Sequence, residues 1–183
     1  MAPRSRCTAT SIQPIFELAL PERAAFVVEA SHLREHFEKS RDGKGQDRIE
    51  NLEEIEQARD AVRSGPLQLF ASFGYGPFAV VRKSDGERAG VCGLFKREIL
   101  EYPDIGFALL PGYRGMGLAR EASSAVVTHA RDDLGLEEIA AIVSPENGPS
   151  IALIEKLGLS FAGMITMPGE DKEFCLYGMV LRP

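Results

Sequence analysis

Leu110-Pro111-Gly112-Tyr113-Arg114-Gly115-Met116-Gly117-Leu118-Ala119-Arg120 joins two segments of different hydrophobic period, and that junction decides the fold. Upstream, residues 104–110 are almost continuously apolar, which predicts a strand buried on both faces. Downstream, Leu118, Ala122, Ala125, Val126, Ala130 and Leu134 fall on one helical face, and Gly135 is placed to end that helix. Between them, Gly115 and Gly117 have no Cβ, so backbone N–H groups can converge at the helix start. Unpaired donors and the helix dipole there favour an anion such as a pyrophosphate. Arg114 and Arg120 could add charge for other phosphates. The pattern is short, and a tight strand-to-helix turn without any ligand would use the same residues. A Rossmann fingerprint fails because its third small residue is replaced by Arg120, and a P-loop fails because Gly-Lys-Ser/Thr is absent.

Outward from this junction the period alternates. Residues 78–82 and 89–95 read as a hairpin through Ser84-Asp85-Gly86. After the long helix come a strand at 139–143, a helix at 149–157 with Gly158 behind it, a strand near 159–167, the turn Pro168-Gly169-Glu170-Asp171, and a strand at 174–181. Toward the N-terminus, 12–20 reads as a strand, and Pro21 opens a helix with Phe26, Ala30, Leu33 and Phe37 on one face. Leu52, Ile55, Ala58 and Val62 mark another helix that stops at Ser64-Gly65-Pro66. Hairpins together with a βαβ crossover predict a mixed α/β (α+β) fold with a partly antiparallel sheet.

Composition sets the class. A length of 183 residues with 44% apolar and 26% charged side chains suits one globular domain, expected over 12–183 behind a flexible head at 1–11. A net charge of −6 argues against nucleic acid, which needs a basic face. Cys7, Cys92 and Cys175 are odd in number and lack CxxC spacing, so neither a disulfide framework nor a zinc site is expected. No apolar run approaches membrane-spanning length, and a reducing cytoplasm is the expected location.

Several further stretches occur in order: Val91-Cys92-Gly93-Leu94, Asp104-Ile105-Gly106-Phe107, the glycine turn, Ser144-Pro145-Glu146-Asn147-Gly148-Pro149-Ser150, Glu155-Lys156-Leu157-Gly158-Leu159 and Pro168-Gly169-Glu170-Asp171. Over residues 78–181 the chain thereby resembles the GNAT superfamily of acyl-CoA-dependent N-acetyltransferases, within it the ribosomal-protein-alanine N-acetyltransferase-like branch. The resemblance implies a mostly antiparallel central sheet of about six to seven strands with about four helices on both faces, splayed at the coenzyme A site. It also implies acetyl-CoA as cosubstrate, a primary amine on a protein N-terminus or small molecule as acceptor, transfer in a ternary complex without metal, and a possible homodimer.

By the same resemblance, Arg114, Gly115, Met116, Gly117, Leu118 and Ala119 would cradle the pyrophosphate. Phe107, Ala108 and Leu109 would offer backbone hydrogen bonds to pantetheine and polarise the thioester carbonyl. Asn147 would hold pantetheine, and Ser150 would sit near the sulfur, because the tyrosine of many relatives falls at Ile154 or a neighbour. Deprotonation of the amine needs a base. Asp104 is the first candidate, directly or through water, with Glu101 second and Tyr177 as a reserve acid. Each has a plainer reading: Asp104 a strand-end polar residue, Ser150 a helix-turn donor, Asn147 a turn residue, Tyr177 a core residue with its hydroxyl at the surface.

The N-terminal stretch Gln13-Pro14-Ile15-Phe16-Glu17-Leu18-Ala19-Leu20 lacks the arginines common in these relatives, which leaves the acceptor open. A non-catalytic acyl-CoA binder on the same scaffold is the alternative. His32-Leu33-Arg34-Glu35-His36 fits an inverted zinc-protease motif, but its histidines lie off the apolar stripe and no third ligand follows. His129 reads as a boundary residue without a role. Acidic groups at 50–60 and at Glu170, Asp171 and Glu173 could guide a cationic acceptor.

Overall fold

The computed structural model describes residues 24–27 and 65–182. The strand read at 12–20, the helix read at 52–63, the head at 1–11 and the His32/His36 pair lie outside the described residues.

Seven strands form one sheet in the order β1-β2-β3-β4-β5-β7-β6. They are β1 (Ala24–Val27), β2 (Pro77–Arg82), β3 (Arg88–Phe95), β4 (Asp104–Leu109), β5 (Glu138–Val143), β6 (Ser160–Thr166) and β7 (Glu173–Val180). The described helices are α1 (Pro66–Phe73), α2 (Leu118–Asp132) and α3 (Gly148–Lys156), with a 3-10 turn at Pro111–Tyr113. All neighbours are antiparallel except β4 and β5, which are joined through α2 as the expected crossover. The mixed fold read from the sequence is the observed one.

Two local readings are corrected. Residues 24–27 form β1, pairing Phe26 with Val80 of β2, where the sequence reading had placed them in a helix opened by Pro21. Four residues are too few to fix a period, and the ladder groups along β2 supply the stronger demand. Residues 66–73 form α1, which the sequence reading passed over. Pro66 sits in its first turn, where its missing N–H costs nothing, and Gly74 closes it at φ 75° with its N–H on the Phe70 carbonyl.

The core forms where α2 lies on the sheet. Leu118, Ala122, Val126 and Ala130 pack with Cys92, Leu94, Ile105, Ile139, Ala141 and Val143. Leu94, Val126 and Ile139 are each 1% exposed, and burial of such a side chain contributes about 1.5–3 kcal/mol. The strands crowd closely where they carry glycine: a Cβ on Gly93 would lie 2.3 Å from the Gly76 carbonyl oxygen.

One interruption in the sheet matters for function. β4 and β5 pair only at Asp104 with Ala140, reinforced by the Ala140 N–H on the Pro103 carbonyl at 2.9 Å. Beyond that rung the strands diverge. Asp104 and Ile105 are buried but Gly106 to Leu109 are only half-buried, which corrects the expectation of a strand covered on both faces throughout.

Candidate active site: a cleft between diverging strands

The cleft begins with backbone direction. The Leu110 N–H bonds the Ala89 carbonyl at 2.9 Å, so by alternation the backbone groups of Ala108 also face β3. Those of Phe107 and Leu109 face the gap left by β5. Divergence therefore frees ladder groups that must find partners elsewhere. The Leu109 carbonyl has found one, accepting from Arg114 Nε at 3.0 Å.

The gap opens onto the glycine turn. Gly115 and Gly117 adopt φ of 75° and 81°, the left-handed region that glycine enters without a Cβ penalty. A Cβ at either would meet nothing within 4 Å, so conformation rather than crowding requires glycine here, and space stands open over the turn. Gly117 is the N-cap of α2 and brings no side chain to its first N–H groups. The Glu121 N–H is the first to bond back, to the Gly117 carbonyl, so the donors ahead of it point outward.

The third wall is α3. Asn147 is its N-cap, and Asn147 Oδ1 accepts from the Ser150 N–H at 3.2 Å. Pro149 follows at the second helical position, with Ser150 behind it, half-buried. Together these walls enclose a cleft of about 530 Å³ lined by Phe107, Ala108 and Leu109 of β4 and by Arg114, Gly115 and Ala119 of the turn. Asn147, Pro149, Ser150 and Leu153 complete the lining.

The sequence-named residues divide accordingly. Eight line the cleft: Phe107, Ala108, Leu109, Arg114, Gly115, Ala119, Asn147 and Ser150. Met116, Gly117 and Leu118 belong to the same turn but not to the lining. Met116 is exposed, while Leu118 is 2% exposed and turns its side chain into the core. Pro149 and Leu153 were missed, although Leu153 stands one helical step beyond Ser150 and shares its face. Ile154 is buried in the core, so Ser150 carries the only hydroxyl among the lining residues.

The three proton-handling candidates outside the lining sit differently. Asp104 is 2% exposed at the closed end of the gap and takes Arg97 Nε on Oδ1 at 2.9 Å. Burial pushes its carboxyl pKa up, against the opposing pull of Arg97. Glu101 is exposed in the loop before β4, and its carbonyl accepts from Lys96 Nζ at 2.8 Å. Tyr177 is buried on β7, edge-on to Phe161 at 5.7 Å, and its phenol pKa is raised by burial and then by the Glu155 carboxylate. His129 bonds Asp133 Oδ2 through Nδ1 at 2.7 Å and packs edge-on against Phe78, away from the cleft lining. Among the described residues no group of His, Cys, Asp and Glu could hold a metal ion, and no helix is long and apolar enough to cross a membrane.

Comparison with known proteins then supplies the family: the acetyltransferase (GNAT) domain matches residues 28–160, well over half of the sequence. The chain belongs to the GNAT acetyltransferase family. Among curated GNAT relatives, the uncharacterized N-acetyltransferase p20 of Bacillus licheniformis is 29% identical over 117 residues, covering 61% of this chain and 63% of that protein. The match thus spans less than two thirds of that relative's length. The ribosomal-protein-S5-alanine acetyltransferase of Vibrio fischeri superposes with a TM-score of 0.69 at 17% identity, covering 92% of this chain and 100% of that one. A RimL ribosomal L7/L12 alpha-N-protein acetyltransferase in complex with coenzyme A gives 0.70 at 16% identity, over 90% and 98% of the two chains. These two likenesses establish the shared GNAT fold. Acetyl-CoA is the acetyl donor of the family.

Proposed function

We propose that the protein transfers acetyl from acetyl-CoA to a primary amine, on a protein N-terminus or a small molecule, by direct attack in a ternary complex. One observation carries this reading: the gap between β4 and β5 runs straight into the N-terminus of α2, so one cleft offers strand groups for an amide-bearing arm and helix N–H groups for a diphosphate.

In this reading the N–H groups of the 115–119 turn hold the pyrophosphate, with Arg114 alongside. Pantetheine extends along β4 and takes the backbone groups of Phe107 and Leu109, while Asn147 donates from its side-chain amide. The amine nitrogen bonds to the thioester carbon as the C–S bond breaks. A backbone N–H of β4 stabilises the developing oxyanion, and Ser150 donates to the departing thiolate. The ammonium proton leaves to Asp104. Asp104 lies three residues before Phe107, roughly 10 Å along the strand, so this transfer runs through water. Glu101 and Tyr177 are the second choices as base and acid.

The Arg97–Asp104 ion pair favours one other reading, a non-catalytic acyl-CoA binder that needs no base. The proposal further includes a single domain over 12–183, a cytoplasmic location, a possible homodimer, and no nucleic-acid or membrane partner.

Calorimetry with CoA and acetyl-CoA tests the cofactor site. Saturable binding to the wild type, lost in Gly117→Trp, is expected because the indole would fill the open space over the turn. Intact protein that binds neither ligand would overturn the proposal. An amine screen monitored by CoA release then separates enzyme from binder.

A further inference from the structure

We infer that Arg82, at the end of β2 and outside the cleft, is a positioning residue that holds the phosphate-facing turn in shape. The inference rests on the acetyl-CoA reading for its consequence, and on contacts in the free protein for its substance.

The turn needs an external support. Tyr113 N–H bonds the Leu110 carbonyl at 2.9 Å and Arg114 N–H reaches Pro111 at 3.4 Å, but the next backbone bond is the one from Glu121 to Gly117. Between them lie two glycines with positive φ, the least restrained residues available. Side chains must therefore fix residues 114–117. Arg114 Nε ties one end to Leu109. Arg82 ties the other.

Its guanidinium reaches two residues of the turn at once. The Arg82 Cζ stands 4.8 Å from the Tyr113 ring centroid, and Arg82 Nη1 approaches Met116 Sδ at 3.8 Å. The remaining face is forked onto Asp85, through Nε to Oδ1 at 3.0 Å and through Nη2 to Oδ2. Asp85 is itself held, because Oδ1 accepts the Glu87 N–H at 3.1 Å within a hairpin closed by Arg82 N–H to Glu87 and Gly86 N–H to Arg82. The planar fork lets one side chain bond Asp85 while stacking on Tyr113, a combination lysine cannot reproduce. With its charge satisfied by Asp85, Arg82 acts as a strut between the β2–β3 hairpin and the turn. It does not serve as a phosphate ligand.

The test compares wild type, Arg82→Ala, Arg82→Lys and Asp85→Ala, the last lying on an exposed hairpin and leaving the sheet ladder intact. NMR backbone order parameters of the Gly115–Gly117 amides are measured without ligand, and CoA affinity by calorimetry. Expected are lower order parameters at these amides in all three variants, unchanged melting temperature, and roughly tenfold weaker CoA binding in Arg82→Ala, without rescue by lysine. Unchanged order parameters in both Arg82→Ala and Asp85→Ala would overturn the strut. So would weakened CoA binding without lower order parameters, since Arg82 would then be touching the ligand directly. A wild type that binds no CoA refutes the acetyl-CoA reading alone, and the order parameters still decide whether Arg82 orders the turn.

Discussion

Replacing Asn147 by Asp separates two tasks that the proposed function gives one side chain. Asn147 caps α3, its Oδ1 accepting the Ser150 N–H at 3.2 Å, and it also lines the cleft. The cap occupies the carbonyl oxygen, so the side-chain amide nitrogen is the donor available to pantetheine. Aspartate has the same shape and caps equally well, and its charge suits a helix N-terminus, so stability should stay within a few tenths of a kcal/mol. It has no donor, however. Losing one neutral hydrogen bond costs about 0.5–1.5 kcal/mol, which is roughly two- to tenfold in CoA affinity. Asn147→Ala removes both contributions. The lost cap costs about 1 kcal/mol, a fall of about 2–4 °C in Tm for a chain of this size, and the affinity drops as in the aspartate variant. Thermal unfolding and calorimetry with CoA read the two effects separately. If Asn147→Asp binds CoA as the wild type does while Asn147→Ala loses only stability, Asn147 is a cap and nothing more.

Three other outcomes follow from the packing and the charges. Gly93→Ala should lower stability by about 2 kcal/mol or more in a denaturant titration, because its Cβ would press on the backbone of Gly76 and Pro77 at 2.3 and 2.5 Å; an unchanged midpoint would mean that the strands separate easily. For Asp104 the folded pKa lies above the unfolded 3.8, so the group's contribution to stability is greatest below that value and diminishes as pH rises through the folded pKa. The stability of wild type relative to Asp104→Asn should accordingly fall as pH is raised from about 4, and a difference growing with pH would contradict the assigned cause. Cys92 is 1% exposed with its thiol pushed up to about 12 by burial, so iodoacetamide at pH ~8 should leave its peptide unmodified until the protein is unfolded, as mass mapping would show.

The glycine-turn and α3 walls of the cleft were legible in the sequence because their determinants are local. Positive φ at Gly115 and Gly117, the amphipathic face of α2 and the Asn147–Ser150 start of α3 are each contained within a few residues, and each is where the pattern put it. Errors arose where a signal was ambiguous or a partner remote. Ser64-Gly65-Pro66 reads equally as the stop of one helix or the start of another, although Leu67, Phe70 and the αL Gly74 could have revealed α1. Residues 24–27 owe their extended form to β2, some fifty residues away in the chain. The divergence of β4 from β5 is a relation between segments separated by the whole of α2, and no single window contains it. Nor does spacing reveal that Arg97 would engage Asp104, or that Leu153 would stand in the cleft beside Ser150.

The single rung between β4 and β5 divides the sheet into two panels, β1 to β4 on one side, where α2 packs on β3 and β4, and β5, β7 and β6 on the other. Amides in the middle of a sheet ordinarily exchange slowly, yet the N–H groups of Phe107 and Leu109 look onto an unfilled edge. An acyl-CoA arm laid in that edge would serve as the missing strand, and the two panels would then respond to ligand as one piece. In the proposed function, binding would join the two panels, and the resistance to unfolding would rise with the acyl-CoA supplied.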